Sequence, residues 1–146
     1  MTVTTLPLKP IDEDYTVKID QTLGQRDQIR DAVGRIAAQG LRNVFFVGAG
    51  GSLICSYPAF YLLQRESAVP VFQIQSDELN CSVPRLMGPG SLVVLASYTG
   101  TTKETVRAAT TAKLAGATVI AVAKDGSPLA AAVDEAFLGK SDLFEL

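Results

Sequence analysis

The sequence predicts a three-layer α/β sandwich around a five-stranded parallel sheet, and three observations carry that prediction. Short, continuous apolar runs of strand length recur along the chain, as suits strands covered on both faces. Segments with helical spacing and helix-stop residues separate them, the pattern of right-handed βαβ crossovers. At 146 residues the chain is the size of one such core. The common order for this class, 2-1-3-4-5, is taken as the expected arrangement.

Residues 1–19 are polar, carry Pro7 and Pro10, and read as an N-terminal arm ahead of a domain spanning 20–146. Leu23, Ile29, Val33, Ile36 and Ala37 then approximate one helix from Ile19 to Gln39, which Gly40 closes. Asn43–Gly48 is the first strand, rich in β-branched and aromatic residues. Leu53–Gln64 is an apolar helix that Pro58 must kink or delay. Val71–Gln75, Leu92–Ala96 and Thr118–Val122 are three further strands, and Glu135–Leu138 is a weaker fifth. Between them, Thr102–Leu114 offers an apolar stripe of Val106, Ala109, Ala112 and Leu114, stopped by Gly116. Pro128–Ala132 is a short helix with Ser127 as N-cap and Pro128 in its first turn. The final Phe144-Glu-Leu146 has no capping or stop signal and reads as a cut end or as the start of a helix continued elsewhere.

Composition removes several function classes. A net charge of −2 supplies no basic field for nucleic acid or anionic lipid, so neither partner is expected. No run approaches membrane-spanning length, and Met1–Pro10 lacks the apolar segment of a signal peptide, so the chain reads as cytoplasmic. Histidine is absent, which withdraws the commonest metal ligand and the commonest general base together. Cys55 and Cys81 lie in apolar stretches without ligand spacing and read as reduced thiols packed like small hydrophobes. No metal and no cofactor is expected.

Two loops carry chemistry. Gly48-Ala-Gly-Gly-Ser52 follows the first strand and opens a helix, where glycines allow a close backbone approach and free N–H groups favour an anion. It also resembles the start of a dinucleotide fingerprint, with Asp77 as the ribose acid, but Leu53 or Ile54 stands where the third glycine belongs. Ser97-Tyr-Thr-Gly-Thr-Thr102 again lies between a strand and a helix, with hydroxyls at 97, 99, 101 and 102 around one glycine. Several hydroxyl donors plus helix-starting N–H groups surround a phosphate monoester without a formal positive charge, and Lys103 adds charge at the rim. The competing explanation is plain helix capping, with Thr101 and Glu104 forming a capping box. In the 2-1-3-4-5 order both loops face the crevice where ligands of open parallel sheets sit.

At these residues the chain resembles the sugar isomerase (SIS) family of phosphosugar-binding domains, whose fold is flavodoxin-like. The resemblance runs through Val44–Ser52, Ser76-Asp-Glu-Leu79, Ser97–Glu104 and Gly126-Ser-Pro-Leu129, covering one SIS unit over residues 20–146. Within the family it looks closest to the fructosamine-6-phosphate (fructoselysine-6-phosphate) deglycases. The resemblance implies that Ser97, Thr99 and Thr102 contact phosphate with the backbone of Tyr98 and Gly100 nearby, and that Gly51 and Ser52 meet the sugar. The family loop often reads Ser-x-Ser-Gly-x-Thr, and Tyr98 and Thr99 in its second and third places keep a hydroxyl at 99 but bring a bulky ring at 98.

The implied function is the N-terminal half of a sugar-phosphate deglycase or isomerase acting on a fructosamine 6-phosphate or a related ketose or aldose phosphate. Those enzymes resemble tandems whose acid and base residues come largely from a second unit. The expected partner is therefore that second SIS unit, or another copy in a homodimer. Proton transfer between C1 and C2 of an opened sugar requires a base. Glu78 is the local candidate, with Asp77 and Glu104 behind it, and none is assigned the role. A non-catalytic phosphosugar sensor and a dinucleotide-binding oxidoreductase are the alternatives.

Overall fold

The computed structural model describes residues 15–138. Of the expected N-terminal arm 1–19, residues 1–14 lie outside the described residues, as does the C-terminal Phe144-Glu-Leu146, while residues 15–19 are helical. Five parallel strands are present: β1 Asn43–Gly48, β2 Val71–Gln75, β3 Ser91–Ser97, β4 Thr118–Ala123 and β5 Glu135–Leu138, ordered β2-β1-β3-β4-β5. The order assumed from the common topology of this class is the one observed. Every residue of β1 is buried, because β1 is flanked by β2 and β3 and covered on both faces.

Successive side chains of each strand point to opposite faces, and two apolar layers result. On one face Phe45, Val47, Val93, Leu95, Val119 and Ala121 pack beneath α5 (Ser76–Cys81), α6 (Lys103–Leu114) and α7 (Pro128–Ala132). On the other, Val44, Phe46, Leu92, Ile120 and Phe137 meet α2 (Arg26–Ala38) and α4 (Tyr57–Glu66) through Ala32, Ile29, Ile36, Phe60 and Leu63. Phe45 and Phe72 stack across β1 and β2 with ring centroids 4.9 Å apart. Arg35 of α2 reaches Glu135 at the start of β5, 3.0 Å away, tying that helix to the far sheet edge.

Four expectations are corrected. The helix expected from 19 to 39 is two helices, α1 Tyr15–Leu23 and α2, broken at Gly24-Gln25, and Leu23 is exposed. The Leu53–Gln64 helix is likewise two pieces, α3 Gly51–Cys55 and α4, with Pro58 in the first turn of α4, where a missing N–H is harmless. In α6 the buried stripe is Thr105, Ala108, Ala109 and Ala112, and Leu114 is 85% exposed. The helix ends in a Schellman motif, Gly116 N–H to Lys113 and Ala117 N–H to Ala112, with Gly116 at φ +89. Leu114 lies two residues past Ala112, about 200° around the helix, and so faces away from the buried stripe. Finally, Cys55 and Cys81 are free as expected but exposed, since each sits at the solvent-facing end of a short helix. Among the described residues no helix is long and apolar enough to cross a membrane.

Candidate functional site

β1 and β3 are sheet neighbours, yet the chain leaves β1 toward β2 on one side and β3 toward β4 on the other. Their C-terminal ends thus flank the topological switch point, where the diverging connections open a crevice. Gly48 pairs with Ala96 and Ser97 with Ala123, so the loops after β1, β3 and β4 emerge at the same sheet edge.

The 97–102 loop is organised by its own hydroxyls. Ser97 is 3% exposed, and its Oγ accepts the Gly100 N–H at 3.2 Å while lying 3.3 Å from Thr102 Oγ1. Thr99 Oγ1 accepts the Thr101 N–H at 3.3 Å and lies 2.8 Å from Thr101 Oγ1. A hydroxyl that already accepts from a backbone amide still has a proton to give. In the Ser97–Thr102 and Thr99–Thr101 pairs either hydroxyl can be the donor, and each pair keeps one proton that its mutual hydrogen bond does not use. Thr102 is the N-cap residue of α6 but makes no side-chain cap hydrogen bond. The capping explanation for this cluster is therefore set aside: Thr101 pairs with Thr99 instead. The positive end of a 12-residue helix consequently opens beside the hydroxyls.

Gly100 holds the loop's shape. Its φ of +67 is the left-handed region, which glycine enters without a steric penalty. A Cβ there would overlap the Ser127 side chain. Its carbonyl accepts the Leu129 N–H from the first turn of α7 at 3.0 Å. Ser127 is the N-cap of α7, accepting from Ala130 N–H at 3.3 Å as the sequence implied.

The glycine turn is built differently. A Cβ on Gly48 would stand 3.0 Å from Leu53 N and 3.2 Å from Ala96 O, so glycine is needed there for β1 to meet α3 and β3. Gly50 has φ 52 and ψ −127, which turns the chain into α3. Gly51 is exposed and Ser52 half-buried at the start of that helix, beside the crevice. With only five residues, α3 adds little dipole.

Of the three acidic candidates, the Glu78 carboxylate has a structural duty. Glu78 Oε2 accepts the Gln75 N–H at 3.1 Å and completes a capping box at the start of α5. Glu104 lies in the first turn of α6, and its carbonyl accepts from Asn80 Nδ2 at 2.9 Å. Asp77 is exposed on α5. The sequence reading missed the brace between α5 and α6. Ser76 Oγ and Thr105 Oγ1, both buried, lie 3.0 Å apart, and Thr111 donates to Asn80 Oδ1 at 3.1 Å. Its only sequence signal was a hydroxyl immediately after β2. Among the described residues no group of His, Cys, Asp or Glu is placed to hold a metal ion.

The SIS domain family model matches residues 39–141. Fructosamine deglycase FrlB of Bacillus subtilis is 42% identical over 90 residues, which is 60% of this chain and 27% of that protein. An HTH-type transcriptional regulator of Caldanaerobacter subterraneus is 37% identical over 102 residues, 67% of this chain and 36% of the regulator. Among solved structures, a Salmonella typhimurium protein assigned as a phosphosugar isomerase superposes with a TM-score of 0.69 at 32% identity, over 91% of this chain and 37% of its own. The matched region thus spans about a third of the length of these relatives.

Proposed function

This chain belongs to the SIS domain family, and we propose that it binds the phosphate of a small sugar phosphate in the 97–102 loop, as the phosphosugar-binding unit of a deglycase or isomerase. One observation carries the reading: four hydroxyls, paired as Ser97–Thr102 and Thr99–Thr101, keep one proton per pair to give beside a helix N-terminus that the Thr102 side chain does not cap. In this reading Ser97, Thr99 and Thr102 hold phosphate oxygens, the Tyr98 and Gly100 backbone lies alongside, and Gly51 and Ser52 across the crevice meet the sugar. The substrate is a fructosamine 6-phosphate or a related ketose or aldose phosphate, a reading supported by the likeness to the fructosamine deglycase.

The reaction moves a proton between C1 and C2 of the opened sugar, and a deglycase then hydrolyses the resulting imine. Glu78 already serves the α5 cap, so the base comes from a second SIS unit, in a partner copy or elsewhere in the same protein. Ile54, Tyr57, Tyr61 and Leu62 on α3 and α4 form an exposed apolar surface that such a unit would cover. The phosphosugar-sensor reading is favoured by a different observation, the match to a transcriptional regulator. Appearance of free amine from fructoselysine 6-phosphate separates the two, because a sensor releases its ligand unchanged.

Thermal unfolding with glucose 6-phosphate, fructose 6-phosphate or inorganic phosphate tests the binding step. Ligand at 100 times its dissociation constant stabilises the folded state by about 2.7 kcal/mol. For a chain of this size that raises the midpoint by on the order of 10 °C. No shift with any of the three would remove the reading.

A further inference from the structure

We propose that Ser127 is a positioning residue for the anion loop: its side chain is the floor on which Gly100 rests, and the first turn of α7 fixes the loop's central peptide. The proposal rests on the phosphate-binding reading for its functional consequence, but its structural content stands independently.

Three contacts converge on Gly100. Its N–H is held by Ser97 Oγ, its carbonyl by Leu129 N–H, and its Cα lies so close to Ser127 that a Cβ would overlap both Oγ and Cβ of that serine. Ser127 is 6% exposed and Leu129 is fully buried in the apolar layer, so α7 cannot shift to follow a moving loop. The donors on either side of Gly100 inherit this fixity. Ser97 is oriented by the Gly100 amide and Thr99 by the next amide along, Thr101. A loop free to sag at Gly100 would turn both amides and with them both hydroxyls. Donors held in place before the ligand arrives bind more tightly, because ordering them is not charged against the complex.

An ordinary capping role for Ser127 makes a different prediction, and two substitutions separate the two. At an N-cap, glycine is tolerated nearly as well as serine and alanine is poor. If Ser127 only caps α7, Ser127→Ala is therefore the worse variant by every measure. If it supports the loop, Ser127→Gly is worse at the site, since it removes the Cβ as well as the Oγ beneath Gly100, while Ser127→Ala keeps the Cβ. The ranking at the site then runs opposite to the ranking in stability.

The experiment measures amide hydrogen exchange at Gly100 and Thr101 in the ligand-free chain, the thermal midpoint, and the dissociation constant for fructose 6-phosphate. Ser127→Gly is expected to speed exchange at both amides about tenfold and to weaken binding about tenfold, with a midpoint above that of Ser127→Ala. Ser127→Ala is expected to change exchange and binding by less than about threefold. Exchange and affinity that follow the stability ranking would overturn the proposal, as would unchanged exchange in Ser127→Gly. If the parent binds no fructose 6-phosphate while exchange still responds to Ser127→Gly, the phosphate reading fails and the support of the loop by Ser127 stands.

Discussion

Ser97→Ala removes two things at once, and they are measured separately. The Gly100 N–H loses its acceptor at 3.2 Å in a loop where Gly100 itself is buried. An orphaned buried amide costs about 1–3 kcal/mol of folding stability. At roughly 3 °C per kcal/mol, the midpoint should fall by about 3–9 °C. The bound phosphate also loses one hydroxyl donor. Hydrogen bonds to charged groups contribute about 1.5–3 kcal/mol. With 1.4 kcal/mol per factor of ten, the dissociation constant should rise by roughly 10- to 150-fold. Isothermal titration with fructose 6-phosphate, run well below the variant's midpoint, counts folded protein alone and reads the second effect without the first. An affinity within about twofold of the parent, alongside the lost stability, would refute the reasoning: Ser97 would then only shape the loop.

Three further outcomes are expected. Gly100→Ala adds a left-handed backbone penalty of about 1–2 kcal/mol to an overlap with Ser127; urea unfolding should show a loss larger than that penalty alone, and a change below about 0.5 kcal/mol would contradict the loop geometry. Thr105→Val keeps the volume but takes away the hydroxyl that meets Ser76 Oγ, costing about 1–3 kcal/mol. The double variant Ser76→Ala with Thr105→Val should recover part of that loss, and no recovery would show the pair is not coupled. At Asp134 burial acts to raise the carboxyl's pKa, but the Lys113 ammonium at 2.8 Å and the Val119 N–H at 2.8 Å prevail and hold it below its ordinary 3.8. A carboxylate with a depressed folded pKa stabilises above its unfolded value, and that stability is lost as pH falls through the folded value. Acid titration of the midpoint below about pH 4 should therefore be shallower in Asp134→Asn, and identical acid limbs would contradict the assignment.

The strands were legible because each is a short apolar run bounded by polar or glycine residues, and their observed ends differ from expectation by at most one residue. Helices were harder wherever periodicity alone had to decide. The spacing from Leu23 to Ala37 continues through Gly24-Gln25, yet the chain breaks there, because backbone geometry and not the apolar pattern sets that turn. α5 has six residues, too few to display a helical period, so Ser76–Cys81 showed only as a motif. At the site, the cluster of hydroxyls was visible as composition. Its meaning was not, since it depends on which hydroxyls accept backbone amides, and the φ of +67 at Gly100 decides that. Capping by Thr101 and Glu104 was the competing reading of the same letters until Thr99 was seen to pair with the Thr101 hydroxyl. Ser127 was recognised as a cap, but its place beneath Gly100 joins two loops 27 residues apart and has no local signature.

A crystal structure of the chain soaked with fructose 6-phosphate tests the central claim most directly. The account predicts a phosphate seated at the N-terminus of α6, within hydrogen-bond distance of Ser97 Oγ, Thr99 Oγ1 and Thr102 Oγ1, with the sugar toward Ser52. A phosphate bound anywhere else, with the 97–102 hydroxyls still paired to one another, would contradict it.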